Sequence, residues 1–429
     1  MLDVKLIRQD PDGVRARLSA RGAAAQTDAA VDRVLALDAE RRTLVAEGDG
    51  LKARRNAASQ EVGERKRRRE SADELIAEMG QVNARIREID ARLREVEGES
   101  DDLLLRIPNL TDPDLPPGGE EANAVVRSWG EPRAFDFEPR PHWEIGAELG
   151  LLDLPAGAKV AGSGFPVYRG MGARLQRALI NFFLDLHTRE HGYTEVEPPF
   201  VVTRESMQGT GQYPKFVEDG DAYALPEDGL YLIPTSEVPV TNLHRDEMLE
   251  ADRLPIAYTA YSPCFRREAG SAGKDTRGLL RVHQFDKVEM VRFERPEDSE
   301  AALEALTGHA ERVLQLLGLP YRVLLLASGD IGFSAAKTYD LEVWAPGVGR
   351  WLEVSSATNC RDFQARRANI RYRPEAGARP EYVHTLNASG VALPRTVVAL
   401  LENGQQADGS VIVPEPLRPY LGTDRLVRP

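Results

Sequence analysis

The first hundred residues carry a heptad pattern of apolar side chains. An apolar residue recurs every seven positions in a first run, and spacings of four and three alternate in a second run; each pattern places one seam along a coiled-coil helix. The seam residues are Leu37, Leu44, Leu51 and Ala58, then Leu75, Met79, Val82, Ile86, Ile89, Leu93 and Val96. Because only the polar segment 63–70 separates the runs, the pattern predicts an antiparallel coiled-coil hairpin, a helical arm over about residues 30–98.

The arm is followed by a segment that can continue neither a helix nor a strand. Residues 107–123 (IPNLTDPDLPPGGEEAN) are rich in Pro, Gly and Asn, which interrupt both kinds of element. They predict a linker between an N-terminal domain, residues 1–106, and a second domain, residues 124–429.

The second domain combines helical periodicity with short strands. A helix is predicted over residues 174–190, where four apolar side chains share one face: Leu175, Leu179, Phe182 and Leu186. A strand-like segment follows at residues 193–197, and another helix is predicted at about residues 299–317. The remainder alternates apolar and polar residues between Gly and Pro turns. This arrangement is typical of an α+β fold, here an antiparallel sheet flanked by helices.

The composition indicates a globular protein of enzyme size. The chain has 429 residues, of which 42% are hydrophobic and 29% charged. No stretch approaches the eighteen or so apolar residues of a membrane span, and the N-terminus mixes both charge signs where a signal peptide would be apolar. The only cysteines, Cys264 and Cys360, are far apart and the seven histidines are scattered, so we expect neither disulfides nor a zinc site. These features predict a cytoplasmic protein with no membrane partner.

Positive charge is concentrated at the predicted tip of the arm. The chain has a net charge of −13, so as a whole it should repel a polyanion. Within residues 51–69, however, eight cations accompany only two acids, Glu61 and Glu64. The cations are Lys52, Arg54, Arg55, Arg65, Lys66, Arg67, Arg68 and Arg69. A charge run is usually a solvated helix face, but its position at the end of a projecting arm favours contact with a phosphate backbone.

Two common nucleotide-binding fingerprints are missing from the sequence. A Walker A loop needs Gly five residues before Gly-Lys-Ser/Thr, whereas Glu268 stands at that distance from Gly273, and Lys274 is followed by Asp275. No GxGxxG motif lies between a predicted strand and a helix. A nucleotide site, if there is one, must therefore be built differently.

Two charged strands are the strongest chemical feature. Period-2 geometry puts Arg266 and Glu268 on one face of the segment YTAYSPCFRRE. It puts Arg281, Phe285 and Glu289 on one face of the segment LRVHQFDKVEMV. Such faces can simply meet water. Two adjoining faces with complementary charges around one Phe also form a slot in which a planar base stacks and a guanidinium holds an anion.

A helix near the C-terminus offers a second cation for such a slot. Residues 390–404 (GVALPRTVVALLENG) place Pro394 at a helix start and Asn403-Gly404 at its end. Arg395 then lies in the first helical turn, where the helix dipole disfavours a cation by some tenths of a kcal/mol. Either a surface arginine tolerates this cost, or the helix terminus and Arg395 together attract a phosphate.

These segments resemble the three motifs of class II aminoacyl-tRNA synthetases, and essentially the whole chain resembles the bacterial-type seryl-tRNA synthetase family. The motifs are the helix and strand ending at Pro198 and Pro199, the segment Phe265–Glu268 with its return strand through Glu289, and residues 390–404 with Arg395. Segments typical of the family are Thr235-Ser236-Glu237, His283-Gln284-Phe285, Glu353-Val354-Ser355-Ser356 and Asn387-Ala388-Ser389-Gly390. The resemblance implies a class II synthetase domain and a homodimer.

The resemblance also implies which residues bind ATP and Mg²⁺. Arg266 is expected on the α-phosphate, Glu268 on the adenine amino edge and Phe285 on the adenine face, and Arg395 near the γ-phosphate. Further ATP contacts are implied for Arg267, Val282, Glu353, Val354, Ser355 and Ser356. Glu353 and Ser356 are the implied Mg²⁺ contacts. Because residues three apart lie on opposite faces of a regular strand, this pair requires a bulge or a strand end.

Serine and tRNA contacts are implied in the same way. The serine pocket would be built from Thr235, Ser236, Glu237, Arg266, Glu289 and Ser389. Thr235 can equally be an ordinary strand residue, and Ser389 a turn former. The arm cations would bind tRNA(Ser) along its long variable stem, and Lys274 and Arg277 would meet the acceptor end.

The implied activity is that of a ligase. Serine and ATP would give seryl adenylate and pyrophosphate, and the seryl group would pass to the 3′ end of tRNA(Ser), with tRNA(Sec) as an open second acceptor. An alternative is a tRNA-independent amino-acid ligase or carrier-protein acylase on the same catalytic fold, which the predicted arm disfavours. A non-catalytic paralogue is a further alternative, and it should have lost the charged slot residues.

Overall fold

The computed structural model describes residues 1–22, 24–271, 277–375 and 377–428. The chain divides into two compact units. The smaller unit comprises Leu2–Ser19 and Ala23–Pro108; the larger comprises Met1, Ala20–Gly22 and Asn109–Pro429. No helix in the described ranges is both long enough and apolar enough to cross a membrane.

The smaller unit is helical. Its elements are α1 (Val4–Gln9), α2 (Pro11–Ser19), α3 (Ala24–Arg67) and α4 (Asp73–Arg106). Helices α3 and α4 form the predicted hairpin, and the seam side chains Leu37, Ala58, Val82, Ile86, Ile89 and Val96 are buried. The predicted connection over residues 63–70 is wrong in part, because α3 continues to Arg67. The ion pairs Glu61–Arg65 and Glu64–Arg68, spaced four residues apart, support this last stretch.

A ladder of ion pairs joins the two long helices. Among the described residues, four pairs follow one another at steps of seven in both helices: Arg33–Glu99, Glu40–Arg92, Glu47–Arg85 and Arg54–Glu78. The Nε–Oε1 distances of the first three are 2.6, 2.7 and 2.7 Å. Each exposed pair adds at most about 1 kcal/mol. Along α3 the charges of these residues run plus, minus, minus, plus, and α4 carries the opposite signs, so a shift of the helices by one heptad would leave two of the three remaining pairs like-charged; the ladder therefore favours the observed register.

The larger unit is an α+β structure. In chain order its described strands are β1 (Ala124–Trp129), β2 (Thr194–Glu195), β3 (Val201–Thr203), β4 (Ala224–Leu225), β5 (Leu230–Leu232), β6 (Met248–Glu250), β7 (Ile256–Phe265), β8 (Gln284–Glu294), β9 (Tyr321–Leu325), β10 (Lys337–Ala345), β11 (Arg350–Asn359), β12 (Arg371–Arg373), β13 (Glu381–Tyr382), β14 (His384–Ala392), β15 (Val411–Ile412) and β16 (Arg425–Leu426). Its described helices are α5 (His142–Glu148), α6 (Leu154–Ala161), α7 (Met171–Arg189), α8 (Arg204–Thr210), α9 (Lys215–Glu218), α10 (Glu237–Thr241), α11 (Ser299–Leu316), α12 (Phe363–Ala368), α13 (Leu393–Gly404) and α14 (Arg418–Leu421).

One large sheet organises this unit. Eight strands lie in the order β1-β9-β10-β11-β14-β8-β7-β2, and every neighbouring pair is antiparallel except β2 with β7. Helices α7, α11 and α13 share a buried apolar core with the sheet. The predicted α+β class, with an antiparallel sheet and flanking helices, is therefore confirmed. The helices expected over residues 174–190, 299–317 and 390–404 correspond to α7, α11 and α13.

The two charged strands are shorter than the sequence pattern predicts. Strand β7 ends at Phe265, so Arg266 and Glu268 lie in the loop beyond it, and Glu268 has a left-handed backbone with φ of 52°. Strand β8 begins at Gln284, so Arg281 precedes it. The predicted shared strand faces are thus wrong for Arg266, Glu268 and Arg281, whereas Phe285 and Glu289 do lie on one face of β8.

Candidate active site

Adjoining cavities open on the large sheet of the larger unit. Arg266, Glu268, Val282, Phe285 and Arg395 are among the residues that line the first cavity. The second cavity is lined, among others, by Thr235, Glu237 and Glu289. Four residues line both: Arg266, Lys287, Glu353 and Ser389. Two ligands seated in these cavities would therefore share a wall.

The first cavity combines an aromatic ring with guanidinium groups. The Arg266 guanidinium carbon lies 5.3 Å from the centre of the Phe285 ring, and Arg266 Nε donates to the carbonyl oxygen of Pro234 at 3.2 Å. Glu268 accepts a 2.8 Å hydrogen bond from Arg281 Nη1. A π face, a carboxylate and guanidinium groups together suit a purine base and its phosphates.

Arg395 enters the first cavity from the start of α13. Its Nη1 donates to the Glu353 carbonyl oxygen at 2.8 Å and lies 3.4 Å from Glu353 Oε2. Pro394 lies at the start of this helix, as the sequence predicts. The cation in the first turn is thus held against β11, where it faces the cavity.

The second cavity is dominated by carboxylates. Glu237, at the start of α10, is buried, and its Oε1 accepts a 2.5 Å hydrogen bond from Gln364 Nε2. Burial, with the nearby negative charge of Glu289, raises the pKa of Glu237 to about 7. Glu289, on β8, is also buried, and its Oε2 forms an ion pair with the side chain of a lysine on the same strand, Lys287. The cavity therefore offers acceptor oxygens to a cationic or hydroxylated ligand.

Lys287 is a site residue that the sequence interpretation missed. Its side chain is 6% exposed; its Nζ donates to Thr235 Oγ1 at 2.9 Å and forms an ion pair with Glu289. On β8 it lies two residues from both Phe285 and Glu289. The same period-2 pattern that assigned those two residues to one face could have found it.

Two side chains fix the backbone around Ser389. Ser355 Oγ donates to the Ser389 carbonyl oxygen at 2.6 Å, and His187 Nε2 lies 2.6 Å from the carbonyl oxygen of Gly390. Burial lowers the pKa of His187 to about 3, so its ring is neutral and its Nε2–H donates. Ser389 is in this way held at the boundary of the two cavities.

A β-bulge brings Glu353 and Ser356 to one face. The register of β10 with β11 pairs Asp340 with Ser356 and Glu342 with Glu353, with a shift between Leu341 and Glu342. Asp340 and Glu342 lie two residues apart and therefore share a face of β10. Their partners on β11, Ser356 and Glu353, share the same face of the sheet even though they lie three residues apart. The bulge that the implied cation pair requires is therefore present.

Asp340 adds an acid that the sequence interpretation did not consider. Its Oδ1 is buried without a hydrogen-bond partner among the described residues. Burial and the neighbouring Glu353 carboxylate raise its pKa well above the ordinary value. Asp340 and Glu353 give two carboxylates and Ser356 a hydroxyl. Within the described ranges, no group of three or more His, Cys, Asp or Glu side chains is placed to hold a metal ion.

Several residues with an implied role do not line the cavities. The Arg267 guanidinium lies over the Tyr223 ring at 4.7 Å and donates to the Ala222 carbonyl oxygen. Val354 and Ser355 are buried in β11. Ser236 Oγ lies 2.5 Å from Ser262 Oγ in the interior. In each case a neighbouring residue of the same motif lines a cavity, whereas the side chain of this residue packs into the interior or against another ring.

The implied tRNA-binding cations fall into two groups. Lys52, Arg54, Arg65 and Arg68 pair with Asp90, Glu78, Glu61 and Glu64 respectively, so their charges are partly compensated. Lys66, Arg67 and Arg69 are exposed at the tip, and Arg55 is partly exposed. In the larger unit, Arg277 lies 4.6 Å from the centre of the Trp143 ring, and Lys274 is outside the described residues.

Two family models match this sequence. The Seryl-tRNA synthetase N-terminal domain matches residues 1–111, and the tRNA synthetase class II core domain (G, H, P, S and T) matches residues 223–404. Among curated relatives, the serine–tRNA ligase of Geobacillus kaustophilus is 58% identical and that of Carboxydothermus hydrogenoformans 54% identical, each over 429 residues and 100% of both chains.

Solved structures give the same likeness. The crystal structure of seryl-tRNA synthetase from Pyrococcus horikoshii, complexed with ATP, is 40% identical with a TM-score of 0.94 and covers 100% of both chains. The cytoplasmic serine–tRNA ligase from Naegleria fowleri, in complex with AMP, is 31% identical with a TM-score of 0.88, over 99% of this chain and 98% of that one.

Proposed function

The chain belongs to the seryl-tRNA synthetase family, and we propose that it activates L-serine with ATP and transfers the seryl group to the 3′ end of tRNA(Ser). The observation that carries this proposal is the shared wall of the two cavities. A purine nucleotide in the first cavity and a small amino acid in the second would both meet Arg266. The carboxylate of one ligand and the α-phosphate of the other can therefore be held side by side.

We assign the first cavity to ATP. Phe285 would stack on the adenine ring, Glu268 would accept from its amino group, and Arg266 would bind the α-phosphate. Arg395 would bind the distal phosphates from the start of α13. Arg267, Val354 and Ser355 would act by shaping the loop and strand, since their side chains are turned away from the cavity.

The residues next to this cavity fit Mg²⁺. Glu353 and Ser356 supply hard oxygen donors on one face, and Asp340 supplies a buried carboxylate oxygen that accepts no hydrogen bond from any residue in the described ranges. We propose that these three residues hold the ion together with phosphate and water. When bound, Mg²⁺ supplies positive charge to the triphosphate oxygens.

We assign the second cavity to serine. Thr235, Glu237, Glu289 and Ser389 provide oxygens for an ammonium and a hydroxyl group. An amino acid without the hydroxyl group would leave buried acceptors unpaired. A binding pocket rejects such an analogue more strongly than an apolar pocket rejects a ligand that differs by one methylene group. Ser236 would support this cavity from the interior, through its contact with Ser262.

The first step of this reaction needs no dedicated protein base. The serine carboxylate attacks the α-phosphorus, the bond to the β-phosphate oxygen breaks, and pyrophosphate leaves. The 3′-hydroxyl of the tRNA next attacks the seryl carbonyl carbon, its proton passes to a phosphate oxygen of the adenylate, and AMP leaves. A carboxylate is already a nucleophile, so the protein contributes position and charge stabilisation through Arg266 and Arg395.

The remaining assignments concern tRNA and assembly. We propose an N-terminal tRNA-binding domain over residues 1–106, a linker over residues 107–123 and a catalytic domain over residues 124–429. The exposed cations at the arm tip would bind the tRNA backbone, and Lys274 and Arg277 would meet its acceptor end. We further propose a homodimer that acts in the cytoplasm. The tRNA-independent alternative has no support, because the relatives match over the arm as well as the catalytic core.

Pyrophosphate exchange tests the proposed activity. We expect serine to drive exchange of labelled pyrophosphate into ATP far better than the other nineteen amino acids do. Arg266→Ala should abolish that exchange, whereas Arg425→Ala, which removes an exposed arginine paired with Asp408, should leave it unchanged. Exchange driven equally by another amino acid, or retained in Arg266→Ala, would contradict the assignment.

A further inference from the structure

Lys287 places a cation inside the second cavity. Its side chain is 6% exposed, its Nζ donates to Thr235 Oγ1 at 2.9 Å, and it forms an ion pair with Glu289. Glu237 lies close enough for the lysine charge to offset part of the rise in its pKa. The ammonium group of Lys287 thus occupies the most acidic part of the cavity.

Both partners of the Lys287 ammonium, Thr235 and Glu289, are among the residues proposed to bind the substrate ammonium. A lysine ammonium and an α-ammonium carry the same charge and the same three N–H donors. They would therefore compete for Thr235 and Glu289. Two cations on one buried carboxylate repel each other strongly, because the interior screens charge much less than water does.

The structure also offers Lys287 a second position. The side chain lines the first cavity as well as the second, and its stem has four rotatable bonds. A triphosphate and the serine carboxylate would bring negative charge to that side. Without a nucleotide, the local cations Arg266 and Arg395 disfavour this position.

We propose that Lys287 fills the ammonium subsite of the empty enzyme and is displaced toward the nucleotide cavity when an amino acid binds. This role rests on the proposed function, since it takes the second cavity as the serine site. The movement of Lys287 between its two positions couples the binding of serine to the binding of the nucleotide. Because a bound nucleotide attracts Lys287 out of the subsite, it makes serine bind more tightly, and serine has the same effect on the nucleotide. Lys287 is in this sense a positioning residue.

Calorimetry measures this coupling directly. The dissociation constant of serine is determined with the wild-type protein alone and again with MgCl₂ and a saturating concentration of α,β-methylene-ATP. This ATP analogue cannot be cleaved between the α- and β-phosphorus atoms. We expect the analogue to tighten serine binding by about fivefold or more, the usual range of coupling between two sites. Lys287→Met keeps the length of the stem and removes the charge.

The variants separate displacement from a structural role. In Lys287→Met, serine should bind the free protein about as tightly as it binds the analogue complex, so that the coupling disappears. Lys287→Arg should keep most of the coupling, and Lys159→Met, a change at an exposed lysine of α6, should keep all of it. Coupling of wild-type size in Lys287→Met would overturn the proposal.

A crystal structure of the wild-type protein with serine gives a second measurement that needs no variant. We expect Lys287 Nζ to lie well beyond hydrogen-bond distance of Thr235 Oγ1; a lysine still at its place beside bound serine would overturn the proposal. If serine fails to bind wild-type protein in either titration, the proposed function fails as well. If serine binds and the lysine stays, only the role of Lys287 fails.

Discussion

Replacing Glu237 by Gln should change how stability depends on pH. Glu237 is buried, and its pKa is raised from 4.5 to about 7 in the folded protein. Between these values the folded protein keeps a proton that the unfolded chain releases. At about 1.4 kcal/mol per pH unit, stability falls by about 3 kcal/mol as the pH rises through this window. Gln cannot titrate, and its amide oxygen can still accept from Gln364, so the variant lacks this loss.

Thermal melting at several pH values measures the effect. The larger unit has about 320 residues, and an unfolding entropy of about 2.1 cal/mol/K per residue converts 3 kcal/mol into about 4 °C. We expect the melting temperature of Glu237→Gln, relative to wild type, to rise by about this much between pH 5 and pH 8. Taking the difference between variant and wild type cancels the titration of the other groups.

A matched control isolates the buried carboxyl. Glu227→Gln makes the same chemical change at an exposed position, and its melting temperature should follow wild type at every pH. If the difference in melting temperature between Glu237→Gln and wild type is constant from pH 5 to pH 8, or changes in the opposite direction, Glu237 does not hold a proton in the folded protein. Its carboxyl group is then more accessible to water than the structure indicates.

Three further outcomes are expected. Asp340→Asn should raise the Mg²⁺ concentration for half-maximal pyrophosphate exchange by about tenfold with little change in the KM for serine; an unchanged Mg²⁺ requirement would exclude Asp340 from the ion site. Replacing residues 30–98 with a short Gly/Ser linker should spare exchange and cripple tRNA charging, whereas equal loss of both would mean that the arm supports folding. Changing Lys66, Arg67 and Arg69 together to Ala should lower the slope of log KM for tRNA against log salt by about 2 to 3, and a slope like that of wild type would place the tRNA contacts elsewhere.

Part of the site follows from local patterns. Phe285 and Glu289 share a strand face because side chains alternate with period 2, and Arg395 follows Pro394 into the first turn of α13. Other placements depend on where a strand ends. Period 2 fails for Arg266 and Glu268 because β7 stops at Phe265, yet the loop beyond the strand still turns both side chains into the first cavity.

The register of the arm shows the same division. The heptad seam predicts two long helices and their antiparallel pairing from residue spacing alone. Residue spacing does not show which residues of the two helices face each other, because ion pairs such as Arg33–Glu99 and Glu40–Arg92 join residues far apart in the sequence. One of these ion pairs joins Arg54 to Glu78, so the charge of Arg54 is partly compensated. A count of charges within residues 51–69 could not show this.

The sequence by itself determined the helical arm, the α+β class and most of the chemical groups of the site, because these depend on residue type and short-range periodicity. Only the tertiary structure decided that Lys287 pairs with Thr235 and Glu289, that Asp340 lies opposite Ser356 beside a bulge, and that the Arg267 side chain packs on the Tyr223 ring. Such facts depend on contacts between distant segments and on strand register. A shift of one residue in that register would send every side chain of a strand to the opposite face of the sheet.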